Sequence, residues 1–164
     1  MNILNADSHA VSAESIKIAL GKELETLKQV IETLDIEYEA LMGYDPERLE
    51  RAVAAKQRAI TAHVQARHKR ESLGLREDFR QQIESHPGFF NGLKEQTLTL
   101  IDALQENGKK SKNANHRNGM LIAGLRERTR SALGVLRPDS ANVTLYGKKG
   151  SAEDTLDSRL LGCA

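Results

Sequence analysis

The sequence predicts an all-α protein: an elongated antiparallel helical bundle or coiled coil of three long helices, followed by a flexible C-terminal tail. Three observations carry that expectation. Leucine and isoleucine recur at spacings of four and three over most of the chain, the pattern that keeps one helix face apolar. Aromatic residues make only 4% of the 164 and tryptophan is absent, against 29% charged. That balance suits narrow seams between helices better than the broad faces of a sheet protein. The three prolines, Pro46, Pro87 and Pro138, each fall where the apolar repeat pauses, and proline stops a helix rather than continuing it.

Residues 1–11 show no periodicity and are expected to be a loose N-terminus, ahead of a helical domain over 12–136. From Ser12 the seam Leu20, Leu24, Leu27, Ile31, Leu34, Tyr38 and Leu41 marks a first helix running to about Met42. Gly43-Tyr44 ends it. Asp45-Pro46-Glu47 then supplies an N-cap and a proline at the first helical position.

The second helix carries Leu49, Val53, Lys56, Ile60 and Val64 as its seam and is expected to reach about Ser85. An irregularity is expected near Gly74, where the Leu73-Gly74-Leu75 step shifts the apolar face. His86-Pro87-Gly88 breaks it. A third segment begins near Asn91 with Leu93, Thr97, Leu100, Ile101 and Leu104.

The stretch from Ala103 to Leu125, "ALQENGKKSKNANHRNGMLIAGL", sets local and long-range signals against each other. Asn107-Gly108 alone reads as a turn. Steps of seven from Ile101 give Gly108, Asn115, Ile122, Thr129 and Leu136, and from Leu104 give Ser111, Asn118, Leu125 and Ala132. The seam after the polar stretch keeps the phase of the seam before it, which a loop has no reason to do. One helix from about 91 to 136 is therefore expected, with polar layers that fix register at some cost in stability. Residues 137–164 lack periodicity but hold the apolar clusters "VTLY" and "RLLG". A tail too poor in apolar groups to fold alone, yet carrying such clusters, suits ordering on a partner.

Net charge is +1, but its distribution is uneven. Residues 12–44 carry seven acids and three bases, 45–86 seven and nine, and 87–137 four and nine. An acidic segment packed on two basic ones accounts for this without any external partner. Cys163 is the single cysteine, so no internal disulfide or cysteine-based metal cluster is available. The five histidines have no metal-ligand spacing. Gly108-Lys109-Lys110-Ser111 echoes the end of a phosphate-binding loop, but its upstream glycine would fall on Ala103 and no strand precedes it. No cofactor, small-molecule substrate or enzymatic activity is indicated. No membrane insertion is expected either, because no apolar run approaches the roughly 18 residues of a span. The expected location is cytoplasmic.

Three stretches together carry a resemblance. They are the region from Glu37 to Ile60, the "NHRNGMLI" segment (Asn115 to Ile122) leading to "ALGVLRP", and "TLYGKKG" in the tail. In this order and spacing the chain resembles the FlgN family, export chaperones for the flagellar hook–filament junction proteins. The resemblance implies a protein that holds the C-terminal helices of those junction proteins, prevents premature assembly, and delivers them to the flagellar type III export apparatus. It also places cargo binding on the later part of the third helix and the tail, here Leu121, Ile122, Leu125, Leu133, Leu136, Val143 and Leu145. Docking at the export gate falls to Tyr146 of "TLYG". Most heptad leucines of this set also serve as core in an ordinary bundle; Leu145 and Tyr146 are the sharper candidates because no intramolecular seam claims them.

The competing reading is a helical nucleic-acid-associated or scaffolding protein. It would use the basic blocks Lys109, Lys110, Lys112 and Arg117, and Arg67 to Arg70, against phosphates. Stacking aromatics are missing from both blocks, so a solvated helix face is the better account.

Overall fold

The structure, a computed structural model, describes residues 12–75, 79–90 and 92–136. They fall into two units, one ending at Gly124 and one beginning at Leu125. All regular structure among them is helical: α1 (Ala13–Met42), α2 (Pro46–Ser72), α3 (Phe79–Ser85), α4 (Pro87–Phe90) and α5 (Lys94–Leu136). The all-α helical bundle is as expected, but the described residues form five helices rather than three.

α1 starts at a capping box. The Oγ of Ser12 accepts from the Ser15 N–H at 3.1 Å, and the Oγ of Ser15 accepts from the Ser12 N–H at 3.1 Å, so two otherwise orphaned donors are satisfied. The helix buries Leu20, Leu24, Leu27, Leu34 and Leu41 of the expected seam, while Ile31 and Tyr38 are half-buried. Its buried face is wider than one seam, and includes Glu23, Thr26, Val30, Glu37 and Ala40. The reason is that α1 packs against two neighbours, α2 along one flank and α5 along the other. α1 ends at Gly43, whose N–H bonds to the Glu39 carbonyl at 2.9 Å, and Tyr44 rather than the glycine takes the left-handed turn, with φ 51°.

The seam of α2 is not the expected one. Val53, Ile60 and Val64 are exposed, at 46%, 38% and 43%. Lys56 of that seam does face α1, but its companions there lie one position away from the expected ones, about 100° around the helix: Ala52, Ala59, His63, Ala66 and Arg70. Each polar member meets a polar group of α1. Lys56 bonds to Glu37, His63 Nδ1 lies 3.3 Å from the Thr26 hydroxyl, and Arg70 Nε donates to Glu23 at 2.6 Å. The three alanines let the helices approach closely, and the paired charges decide the face. A hydrophobicity pattern alone cannot weigh that pairing, which is why the seam was misplaced.

The second helix was also expected to run to about Ser85. It stops at Ser72, and Gly74 adopts φ 88°, a conformation only glycine takes without strain. The Arg70 guanidinium fastens this turn from inside: it is 6% exposed, donates to the Leu75 carbonyl, and lies 4.6 Å over the Phe79 ring. α3 and α4 then reverse the chain, with Pro87 opening α4 and Gly92 at φ 84° before α5. α5 begins at Lys94 rather than Asn91.

These turns enclose the main core. Ile16, Leu20, Leu24 and Leu27 of α1 meet Leu75, Ile83 of α3, Phe90 of α4, and Ile101 and Leu104 of α5. Each such side chain, fully buried, contributes about 1.5–3 kcal/mol of transfer free energy before entropy is subtracted. Arg80 of α3 pairs with Asp102 of α5 at the rim of the cluster.

Candidate functional site

α5 passes through Asn107-Gly108 without interruption. The Asn107 side chain donates to the Ala103 carbonyl four residues back at 2.8 Å, and Lys110 pairs with Glu106 at 2.7 Å across one turn. Both contacts satisfy polar groups within the helix, which removes the local incentive to turn. The Lys110 ammonium also holds the exposed Glu106 carboxyl below its ordinary pKa, chiefly through this hydrogen bond.

The buried face of α5 runs Thr97, Ile101, Leu104, then half-buried Asn107, Ser111 and Ala114, then Asn118. One of the two expected seven-residue series, Leu104–Ser111–Asn118–Leu125, stays inward or half-inward. The other does not: Gly108, Asn115 and Ile122 are exposed, and their inner places are taken by Asn107, Ala114 and Leu121. A three-residue step at Leu104–Asn107, where a four-residue step would have kept the phase, produces that shift.

Among the described side chains of α5, Asn118 is the last that is fully buried, at 1% exposure. Its Nδ2 donates to the Leu34 carbonyl at 2.7 Å and to Glu37 Oε2 at 2.9 Å, while Lys56 occupies Glu37 Oε1. This one layer ties α1, α2 and α5 together through a buried carboxylate with two donors. Beside it Arg117 donates to Asp35 at 2.9 Å and lies 4.0 Å over the Tyr38 ring. No described buried side-chain polar atom lacks a hydrogen-bond partner.

An open groove of about 600 Å³ adjoins this layer, lined by Tyr38, Met42, Asn113, His116, Arg117, Met120 and Leu121. Met42 and Met120 are 54% and 66% exposed. Methionine is unbranched and polarizable, and adapts to irregular apolar partners. Leu121 is half-buried at the edge of the groove and Ile122 is 36% exposed.

In the second unit, Leu125 is half-buried and every side chain from Arg126 to Val135 is exposed, including Leu133 at 56% and Val135 at 81%. Leu136 is the last helical residue. Val143, Leu145 and Tyr146 lie outside the described residues. Thus the geometry collects Leu121 with Tyr38, Met42 and Met120, and leaves Ile122, Leu133 and Val135 uncovered. Tyr38 was read as seam; Met42, Met120 and Val135 carried no heptad signal.

The basic blocks of the competing reading look different in three dimensions. Arg70 is a buried structural cation paired with Glu23, and Arg67 is bonded to Glu71 at 2.7 Å. That bond also lowers the pKa of the half-buried Glu71. Only part of the Arg67-to-Arg70 run therefore faces solvent as unshielded charge. Among the described residues no cluster of three or more His, Cys, Asp or Glu could hold a metal ion. No described helix is long and apolar enough to cross a membrane.

Comparison with protein families gives a match to the model of the FlgN protein family over residues 12–154. The chain belongs to the FlgN family. This is a family of flagellar export chaperones and not of enzymes. No curated protein and no solved structure matches the chain.

Proposed function

We propose that this FlgN-family protein is a cytoplasmic chaperone of the hook–filament junction proteins. In this reading it binds their C-terminal helices, keeps them from assembling early, and delivers them to the flagellar type III export apparatus. The observation that carries the reading is the uncovered apolar end of α5: Ile122 and Leu133, which fall within about 20° of one helix face, stand in solvent on a helix whose upstream half is packed. An amphipathic helix laid against such a face buries its own apolar side, and anchors at three- and four-residue spacing are what a helix-in-groove contact uses. Leu121, Ile122, Leu125, Leu133 and Leu136 are the proposed helical contacts, with Val143 and Leu145 added from the tail. Each 100 Å² of apolar surface so covered contributes roughly 2.5 kcal/mol before ordering costs.

The full-length protein mixed with the C-terminal helices of a junction protein should elute as a stoichiometric complex in size-exclusion chromatography with light scattering. Separate elution at tens of micromolar of each would refute the reading. Tyr146 is proposed to dock at the export gate; Tyr146→Ala should leave that complex intact and reduce export. Loss of the complex instead would place Tyr146 in the cargo contact.

A further inference from the structure

α5 is held at two places and only lightly between them. Below, Thr97, Ile101 and Leu104 are buried, the last two in the main core. Above, Asn118 is fixed to the Leu34 carbonyl and to Glu37. From residue 105 to residue 116 no side chain is fully buried, and the inward places go to Asn107, Ser111 and Ala114. The described side-chain bonds of this stretch stay within α5, from Asn107 to Ala103 and from Lys110 to Glu106. The face of α1 beside it is larger and apolar, with Leu34, Ile31 one turn back and Leu27 a turn further. Small and polar side chains laid against leucine and isoleucine bury little apolar surface of their own, so this part of α5 adheres weakly.

The stretch is bracketed by two Asn-Gly pairs, Asn107-Gly108 and Asn118-Gly119. A Cβ at either glycine would meet nothing within 4 Å, so no close approach calls for glycine there. What glycine brings instead is low helix propensity and easy access to the left-handed conformation that ends helices. Asn107-Gly108 is thus a helix stop held in helical form. We propose that α5 from Gly108 to Leu121 is a strap that swings off α1, with Asn107-Gly108 as its hinge and Asn118 on Glu37 as its clasp. The carboxylate of Glu37 suits that role. When the amide of Asn118 leaves, Lys56 still holds the other oxygen, so the charge stays paired. Arg117 leaves Asp35 with the strap, and both side chains of that ion pair are exposed, so its release costs little. The main core and the Glu23–Arg70 and Thr26–His63 contacts lie outside the strap and stay in place. Opening uncovers Ile31 and Leu34, which join Tyr38 and Met42 in one apolar strip along α1. The clasp therefore decides when that strip meets solvent.

The test is thiol labelling of the full chain by an aromatic disulfide reagent. Cys163→Ser removes the native thiol, and two reporters are introduced separately, Leu34→Cys under the strap and Leu20→Cys in the main core. The parent leucines are 2% and 0% exposed, so neither thiol reacts without an opening. The expected result is that Leu34→Cys reacts at least about tenfold faster than Leu20→Cys, with a rate that low urea leaves unchanged while the Leu20→Cys rate rises. Asn118→Asp sets a second carboxylate against Glu37 in place of a charge-assisted bond. It should speed the Leu34→Cys reaction by about tenfold or more beyond any change at Leu20→Cys. Gly108→Ala disfavours the left-handed stop and should slow the Leu34→Cys reaction by about fivefold. Equal rates at the two thiols, or an Asn118→Asp effect of the same size at both, would mean that α5 leaves α1 only when the whole chain unfolds, and overturns the proposal. So does a Leu34→Cys rate indifferent to Gly108→Ala, because the bend then does not pass through that pair. The chain is tested alone, so the outcome does not depend on the chaperone reading.

Discussion

Replacing Asn118 with alanine removes the only described contact that joins α5 to the buried carboxylate of Glu37. The magnitude follows from the partners. The Leu34 carbonyl lies within α1, where it already accepts a helical N–H, so it loses little. Glu37 is 1% exposed and loses a charge-assisted hydrogen bond of 2.9 Å, which costs about 1.5–3 kcal/mol. The vacated amide volume adds up to about 1 kcal/mol. A total of about 2–4 kcal/mol is expected, or roughly 5–12 °C in Tm for a chain of this size. Urea unfolding followed by circular dichroism measures it. The double variant Glu37→Leu/Asn118→Leu removes acceptor and donor together and frees Lys56, whose side chain is 21% exposed, to reach water. It should be less destabilised than the summed single variants by about 1–2 kcal/mol. An Asn118→Ala cost below about 0.5 kcal/mol, or strict additivity, would refute the view that this layer is a dry, interdependent lock.

Gly74→Ala should cost about 1–2 kcal/mol in the same assay, because φ 88° is strained for any residue with a Cβ; a neutral result would mean that the α2–α3 turn relaxes. Leu133→Asp/Val135→Asp should leave the unfolding midpoint unchanged, since both side chains are exposed, and should weaken junction-helix binding at least tenfold by calorimetry. Unchanged affinity would remove the end of α5 from the cargo site. The carboxyls of Glu71 and Glu106 have folded pKa values lowered by Arg67 and Lys110. Their stabilisation is present above the ordinary carboxylate pKa and is lost as pH falls through the lowered values. Glu71→Gln/Glu106→Gln should therefore lose helicity less steeply than the parent on acidification from about pH 6 to pH 3; an equal or steeper loss would contradict this.

The parts of the fold legible in the sequence were those set by apolar period and by strong punctuation. The α1 leucines, the Asp45-Pro46 start of α2 and the continuity of α5 through Asn107-Gly108 all followed from them. What escaped were decisions made by pairing. Lys56 was in the expected seam, but His63 and Arg70 turn inward because Thr26 and Glu23 wait for them on α1, and that partnership outweighs the greater hydrophobicity of Val53, Ile60 and Val64. Arg70 read as part of a basic surface block because its partner lies 47 residues away. The break at Gly74 was visible as an irregularity, but its severity depended on the Arg70 anchor and the core it helps to close. At the site, Ile122 could be named from the seven-residue series from Ile101, and Leu121 only through the family resemblance. Met42 and Met120 could not, because they line a groove that exists only where α1 and α5 meet beside Asn118.

Hydrogen exchange of the full-length protein, alone and with the C-terminal helices of a junction protein, tests the central claim most directly. Added protection is expected along the second half of α5, from Leu121 to Leu136, with α2 unchanged. Protection confined to α1 and α2, with the end of α5 exchanging as it does alone, would contradict it.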